Sequence, residues 1–213
     1  MLPWVLLAAS YLLGAIPSSH IGGLLLRGLD LRRHGSGNLG ATNAFRVLGW
    51  KVALPVLLFD IFKGWFPTFA FPMWDRVAPA AWAGGGWAFA YGCAAIVGHV
   101  FSPYVAFKGG KGVATSSGML LALAPWGLLA GFLTWITLVW STRIVSLSSV
   151  IAAAVVPLVV ALVYGVGAVF WLCVGVALFV VFAHRSNLKR LARGEEARFG
   201  RKAGEMPGPG VRP

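Results

Sequence analysis

Between Lys111 and His184 the chain reads GVATSSGMLLALAPWGLLAGFLTWITLVWSTRIVSLSSVIAAAVVPLVVALVYGVGAVFWLCVGVALFVVFA, with Arg143 the one charged residue inside it. How often this stretch crosses a bilayer decides the fold. Both flanks are basic, and the positive-inside rule places basic segments on the cytoplasmic face, so the number of crossings is even. As continuous helix, these roughly 70 residues rise about 105 Å, against a hydrocarbon core of about 30 Å. Two crossings leave far too much chain. Four fit, broken at Pro125, at Ser141-Thr142-Arg143 and at Tyr164-Gly165, and they put Arg143 inside. The first piece, Gly112 to Ala124, is short for a span and is tolerable only where protein surrounds it, so a site is expected there.

Composition agrees with a membrane fold. The chain of 213 residues is 58% hydrophobic and 11% charged, whereas soluble domains carry about 25% charged residues. A soluble globular fold is excluded, and with it the nucleic-acid partner that a net charge of +12 would otherwise suggest. The excess charge lies in four clusters: Arg27 to Lys51, Lys108 with Lys111, Arg143, and the residues from His184 onward. Placing all four inside puts the N-terminus outside and the C-terminus inside. The run Leu2 to Leu26 has no basic residue before it and no small-residue cleavage site, so it reads as a retained span rather than a signal peptide. Val52 to Trp74 leads out to the neutral Asp75-Arg76 link, and Ala81 to Phe107 returns. The expected fold is therefore all-α and polytopic, with seven transmembrane helices, or five plus re-entrant segments. Residues 1–199 form a single domain, and 200–213, rich in Gly and Pro, a disordered tail. Cys93 and Cys173 read as buried free thiols, and Gly127-x-x-x-Gly131 and Gly84-x-x-x-Ala88 as helix contacts. Asp60 and Lys63, one turn apart within a span, read as a neutralising pair or, because intramembrane charge is costly, as part of a site.

Three basic segments carry the candidate chemistry. Gly35-Ser36-Gly37-Asn38-Leu39-Gly40 has the letters of a dinucleotide fingerprint, but Leu29 to His34 is too polar for the strand that such a motif requires. What remains is a glycine-rich turn in which backbone N–H groups, Ser36, Asn38, Thr42, Asn43 and Arg46 make an anion cradle. Lys108-Gly109-Gly110-Lys111-Gly112 departs from a P-loop at Val105 and Gly112, which replace its first glycine and its magnesium-binding hydroxyl. Exposed backbone N–H groups, two lysines and the helix that follows still suit a phosphate. The third segment places His184 and Asn187 one turn apart, while Arg193, Arg198 and Lys202 read as a lipid-gripping basic end. Arg143 with Ser146, Ser148 and Ser149 adds a weaker polar cluster, of which Arg143, Ser146 and Ser149 are further candidates to bind substrate phosphate. No metal template, nucleophile elbow or H-x-x-x-x-D acyltransferase signature is present, so neither metal nor cofactor is expected. A transporter of an anion or phosphate ester is the rival reading, but the internal symmetry that would favour it is missing.

Ser36-Gly37-Asn38-Leu39-Gly40-Ala41-Thr42-Asn43 with Arg46, Gly98-His99-x-Phe101-Ser102 leading into Lys108 to Thr115, and His184-x-x-Asn187 with Arg190, Leu191 and Glu196 together resemble the bacterial acyl-phosphate:glycerol-3-phosphate acyltransferases, the PlsY family. The resemblance covers Leu2 to about Phe199. It implies a multi-pass enzyme of the bacterial inner membrane, with its site on the cytoplasmic side. The reaction would move a fatty acyl group from acyl phosphate to the 1-hydroxyl of glycerol 3-phosphate, the first acylation of phospholipid synthesis. Ser36 and Arg46 would serve catalysis, Lys108 to Gly112 would hold phosphate, His184 and Asn187 would assist, and Glu196 would be structural. Two substrate phosphates bring about three to four negative charges, which Arg46, Lys108, Lys111 and Arg143 balance. The chain is expected to act as a monomer among membrane lipid. Its hydroxyl-activating base would be either His184 or a substrate phosphate.

Overall fold

The computed structural model describes residues 1–74 and 86–198. The Asp75-Arg76 link, the start of the third run, Gly84, Lys202 and the tail lie outside the described residues. Among the described residues every regular element is helical. They are α1 (Leu2–Ala15), α2 (Ser18–Arg27), α3 (Ala41–Leu48), α4 (Trp50–Trp74), α5 (Gly86–Val100), α6 (Val113–Leu123), α7 (Pro125–Thr142), α8 (Val145–Tyr164), α9 (Ala168–Ala183) and α10 (Arg185–Ala192), with short 3-10 turns at Leu31–Arg33 and Pro103–Val105.

Local chemistry explains the boundaries. Pro125 opens α7 at its first turn, where the missing N–H costs nothing, and Arg143 in the left-handed region (φ 61°) closes it. Gly165 ends α8 with φ 80°. These are the breaks read from the sequence. The first apolar run, read as a span, is bent: Pro17 disfavours helical geometry at Ile16, and α1 and α2 meet there at 40°. A second bend of 55°, at His184, separates α9 from α10. Among the described residues three helices are long and apolar enough to cross a bilayer, α4, α8 and α5 with its 3-10 extension, and up to five spans result if each bent pair counts as one. The described Trp4, Trp50, Trp74, Trp126, Trp140 and Trp171 lie exposed near helix ends, where amphipathic rings suit the membrane interface.

With lipid as solvent, close backbone approach takes over from hydrophobic drive in holding helices together. A Cβ on Gly64 of α4 would lie 1.9 Å from Thr115 O, and one on Gly118 of α6 would lie 1.9 Å from Ile61 O. The α1–α5 seam is equally tight at Gly14 against Ala95 and at Gly98 against Tyr11. Gly127 and Gly131 seat α7 against Val160 and Val156 of α8, the contact their spacing suggests. One lobe thus contains α1, α4, α5 and α6, the other α7, α8 and α9. α6, with 11 residues, is about 16 Å long and lies against α4 with Thr115, Ser116, Gly118 and Met119 buried. It is a short helix packed into the first lobe on α4 and meeting α7 of the second, with Leu121 left exposed.

Candidate active site

The first loop is built from beneath. Asp30 caps the Leu31–Arg33 turn by accepting from Arg32 N at 3.0 Å. Gly35 and Gly37 have φ of 62° and 71°, and a Cβ on Gly35 would meet Asn43 Oδ1 at 2.3 Å, so a side chain is excluded there. Asn43, 2% exposed, accepts from Ser36 N at 2.9 Å and donates to His34 O at 3.1 Å and Leu31 O at 3.4 Å. It therefore clamps the loop with its own polar groups. Ser36, Thr42 and Arg46 remain exposed, and no ion pair among the described residues involves Arg46.

The second loop turns back on α5. Gly109 N donates to Val100 O at 3.0 Å and Gly110 N to His99 O at 3.1 Å. Gly110 lies so close to the His99 ring that a Cβ would be 2.1 Å from Nε2. This hairpin throws Lys108 outward and Lys111 inward, where its ammonium donates to Asn187 Oδ1. Burial pulls the Lys111 pKa down to about 8; the Glu196 carboxylate works against that shift, and Arg190 and Arg46 reinforce it.

Glu196 organises the third segment, accepting from Ser146 Oγ at 2.8 Å, Asn187 Nδ2 at 2.5 Å and Arg190 Nε at 2.9 Å. Burial would raise its carboxyl, yet these donors, with the Arg190 charge, hold it below the ordinary carboxylate range. Ser146 thus spends its proton on Glu196. Ser149 donates to Val145 O at 2.9 Å and accepts from Trp135 Nε1 at 3.2 Å. His184, 4% exposed, bonds Val180 O through Nδ1 at 2.8 Å. A carbonyl only accepts, so Nδ1 carries the proton and Nε2 of the neutral ring is the free acceptor.

All three segments meet at one cavity of about 1680 Å³. Its mouth holds Ser36, Asn38, Thr42, Asn43, Arg46, Lys111, Gly112, Ser146, Ser149, His184, Asn187 and Glu196. Lys108, Gly109, Gly110 and Arg143 do not line it. Arg190, Arg193 and Arg198 do. The four cations weighed from the sequence are therefore redistributed: Arg46 and Lys111 stay, while Arg190 and Arg193 stand where Lys108 and Arg143 were expected. Arg193 and Arg198, read as lipid anchors, are on the cavity rim. Beyond the mouth the wall turns apolar, through Leu120, Leu128 and Val156, and exposed Leu57, Leu121 and Phe132 form its outward edge. Asp60 and His99 also line it, 39 positions apart in sequence. Only the general cost of intramembrane charge had marked Asp60.

The sequence profile described as glycerol-3-phosphate acyltransferase matches residues 4–194. A curated glycerol-3-phosphate acyltransferase from Chlorobaculum tepidum is 40% identical, covering 92% of this chain and 97% of its own length. Its counterpart in Pelodictyon phaeoclathratiforme is 38% identical, over 92% and 97%. Among solved structures, a crystal structure of PlsY (YgiH), an integral membrane glycerol 3-phosphate acyltransferase, is 35% identical in its glycerol 3-phosphate form, with a TM-score of 0.80 over 93% of this chain and 96% of that one. The lysophosphatidic acid form of PlsY is 34% identical, also with a TM-score of 0.80, over 93% and 95%.

Proposed function

The chain belongs to the PlsY family of membrane glycerol-3-phosphate acyltransferases, and from that premise we propose that it moves a fatty acyl group from acyl phosphate to the 1-hydroxyl of sn-glycerol 3-phosphate, releasing lysophosphatidic acid and phosphate. The observation that carries this reading is the continuity of the cavity. A cationic, glycine-lined mouth suits two phosphate heads, and the apolar wall reaching the outward edge at Leu57, Leu121 and Phe132 suits an acyl chain drawn from the bilayer. A phosphate-ester transporter would need no such apolar extension.

Acyl phosphate is a mixed anhydride with a good leaving group, so no acyl-enzyme is required. The glycerol oxygen attacks the acyl carbonyl carbon, the carbon–oxygen bond to phosphate breaks, and the hydroxyl proton passes to a phosphate oxygen of the substrates. Such an oxygen suits the task because the second phosphate pKa is near 6. Arg46 and Lys111 balance the phosphates, and Ser36 with its loop N–H groups orients the donor. A second reading for the base is favoured by the His184 ring, whose Nε2 is left as acceptor on the cavity wall. Residues 1–199 act as one domain with seven spans, N-terminus out and C-terminus in, in the bacterial inner membrane, the mouth facing the cytoplasm. The protein works as a monomer surrounded by lipid.

The test is phosphate release from acyl phosphate by protein purified in detergent. Release should depend on glycerol 3-phosphate and match lysophosphatidic acid mole for mole. No release with both substrates present, or equal turnover of an acyl-CoA thioester, would overturn the reading.

A further inference from the structure

The break between α1 and α2 receives side chains from several distant segments, and the reaction proposed above does not call on it. Four of its residues make polar contacts across the chain. Ala15 O accepts from Ser102 Oγ at 2.5 Å, and Ile16 O from Lys63 Nζ at 2.9 Å. Ser18 Oγ donates to Asp60 Oδ1 at 2.7 Å, and Ser19 Oγ to Leu39 O at 2.8 Å. Lys63 closes the set with an ion pair to Asp60 at 2.8 Å, both side chains 1% exposed.

Each contact leads to a substrate loop. Leu39 is in the first loop, between Ser36 and Arg46. Ser102 begins the turn that carries the second, its carbonyl accepting from Phe107 N at 2.8 Å. The Asp60 carboxylate stands 3.8 Å from His99 Nδ1, and Gly110 packs against the same ring at Nε2 while its N–H donates to the His99 carbonyl.

Stability is a poor reason for such a pair. Each buried ion costs several kcal/mol of desolvation, and apolar replacements of similar volume are often neutral or stabilising. This pair is not even fully satisfied, because Asp60 Oδ2 has no hydrogen-bond partner among the described residues. What it supplies is direction: Asp60 and Lys63 tie Ser18 Oγ and the Ile16 carbonyl to α4 at the bend. We infer that Asp60 and Lys63, together with Ser18 and Ser19 at the α1–α2 break, are positioning residues that hold the two phosphate-binding loops in register with each other. The inference rests on the proposed acyl transfer for its consequence, though not for its geometry.

The experiment places spin labels at Arg33→Cys and Tyr104→Cys, exposed positions on the two loop segments outside the cavity lining, in a Cys93→Ala, Cys173→Ala background. Distances come from double electron–electron resonance, and KM and kcat from unlabelled protein. The parent should give one narrow distance distribution. The double variant Asp60→Leu, Lys63→Met should broaden it while keeping its thermal midpoint. Its KM for both phosphate substrates should rise by about tenfold, with kcat changing less, the pattern for lost binding geometry. A narrow distribution in that variant, or both KM values within about twofold of the parent, would overturn the inference. Should the double variant fail to fold, Ser18→Ala removes one Asp60 contact without stranding a charge. It should broaden the distribution to a smaller extent, and an unchanged distribution there overturns the inference as well. Parent protein that gives the narrow distribution but no acyl transfer would count against the proposed function alone.

Discussion

Lys111 and Lys108 are three residues apart in the same glycine-rich run, and from the sequence they are equivalent phosphate ligands. The Gly109–Gly110 hairpin onto α5 separates them, leaving Lys108 exposed and Lys111 against Asn187 at the cavity. Sequence shows which residue types gather in a loop, but the side of a turn on which each one falls depends on a backbone path set by His99, which precedes Lys108 by nine positions. For the same reason Ser146 and Asn43 looked like phosphate donors, whereas their polar groups are spent on Glu196 and on the first loop. Lys111→Ala should lose about 2 to 5 kcal/mol of transition-state stabilisation, the scale for removing one partner of a buried charged contact. Lys51→Ala, exposed and off the cavity, should be near neutral; comparable losses at both would mean general damage. Because burial holds the Lys111 pKa at about 8, its ammonium is intact at lower pH and is lost as pH rises through that value. A profile of kcat/KM against pH should therefore fall on the alkaline side. Lys111→Arg, whose guanidinium stays charged, should move that limb upward; a limb in the same place would remove Lys111 as its cause.

At the scale of elements, the breaks at Pro125, Arg143 and Gly165 were legible because each carries its own stop signal, a proline, a polar triplet or a glycine. Pro17 carried one too, inside a run apolar enough to pass for a single span. The α4–α6 seam was easy to overlook: Gly118 with Ala114 and Ala122, and Gly64 with Thr68, have small-xxx-small spacing, but such spacing does not say which helix lies opposite. Gly118→Ala would put a Cβ 1.9 Å from Ile61 O. It should cost about 1 to 3 kcal/mol of stability through overpacking, read as a lower thermal midpoint in detergent. Gly175→Ala on α9, with nothing within 4 Å, should be neutral or slightly stabilising. Equal behaviour of the two would mean that the seam yields and does not set the position of α6.

For the whole molecule, hydropathy and charge were enough for an all-helical membrane protein and for three polar segments gathering at one site. The meeting of two lobes around a short α6 was legible only as a piece too short to span. The apolar extension of the cavity was not legible, because residues lining it and residues facing lipid have the same composition. Charge placement predicts that Asn38, Lys108 and Asn187 share the cytoplasmic face. Single cysteines at these positions, in a background lacking Cys93 and Cys173, should escape an impermeant thiol reagent added to intact cells. Labelling of any one from outside would break the topology and the shared site with it.

The central claim is that two phosphate substrates meet in one cavity and exchange the acyl group directly. Mass spectrometry of a single turnover tests it: labelled acyl phosphate is incubated with excess protein, first alone and then with glycerol 3-phosphate. Direct transfer leaves unmodified protein in the first stage, and gives labelled lysophosphatidic acid with an equal amount of phosphate in the second. An acylated Ser36 that forms without glycerol 3-phosphate, and then passes its acyl group on at a competent rate, would contradict it.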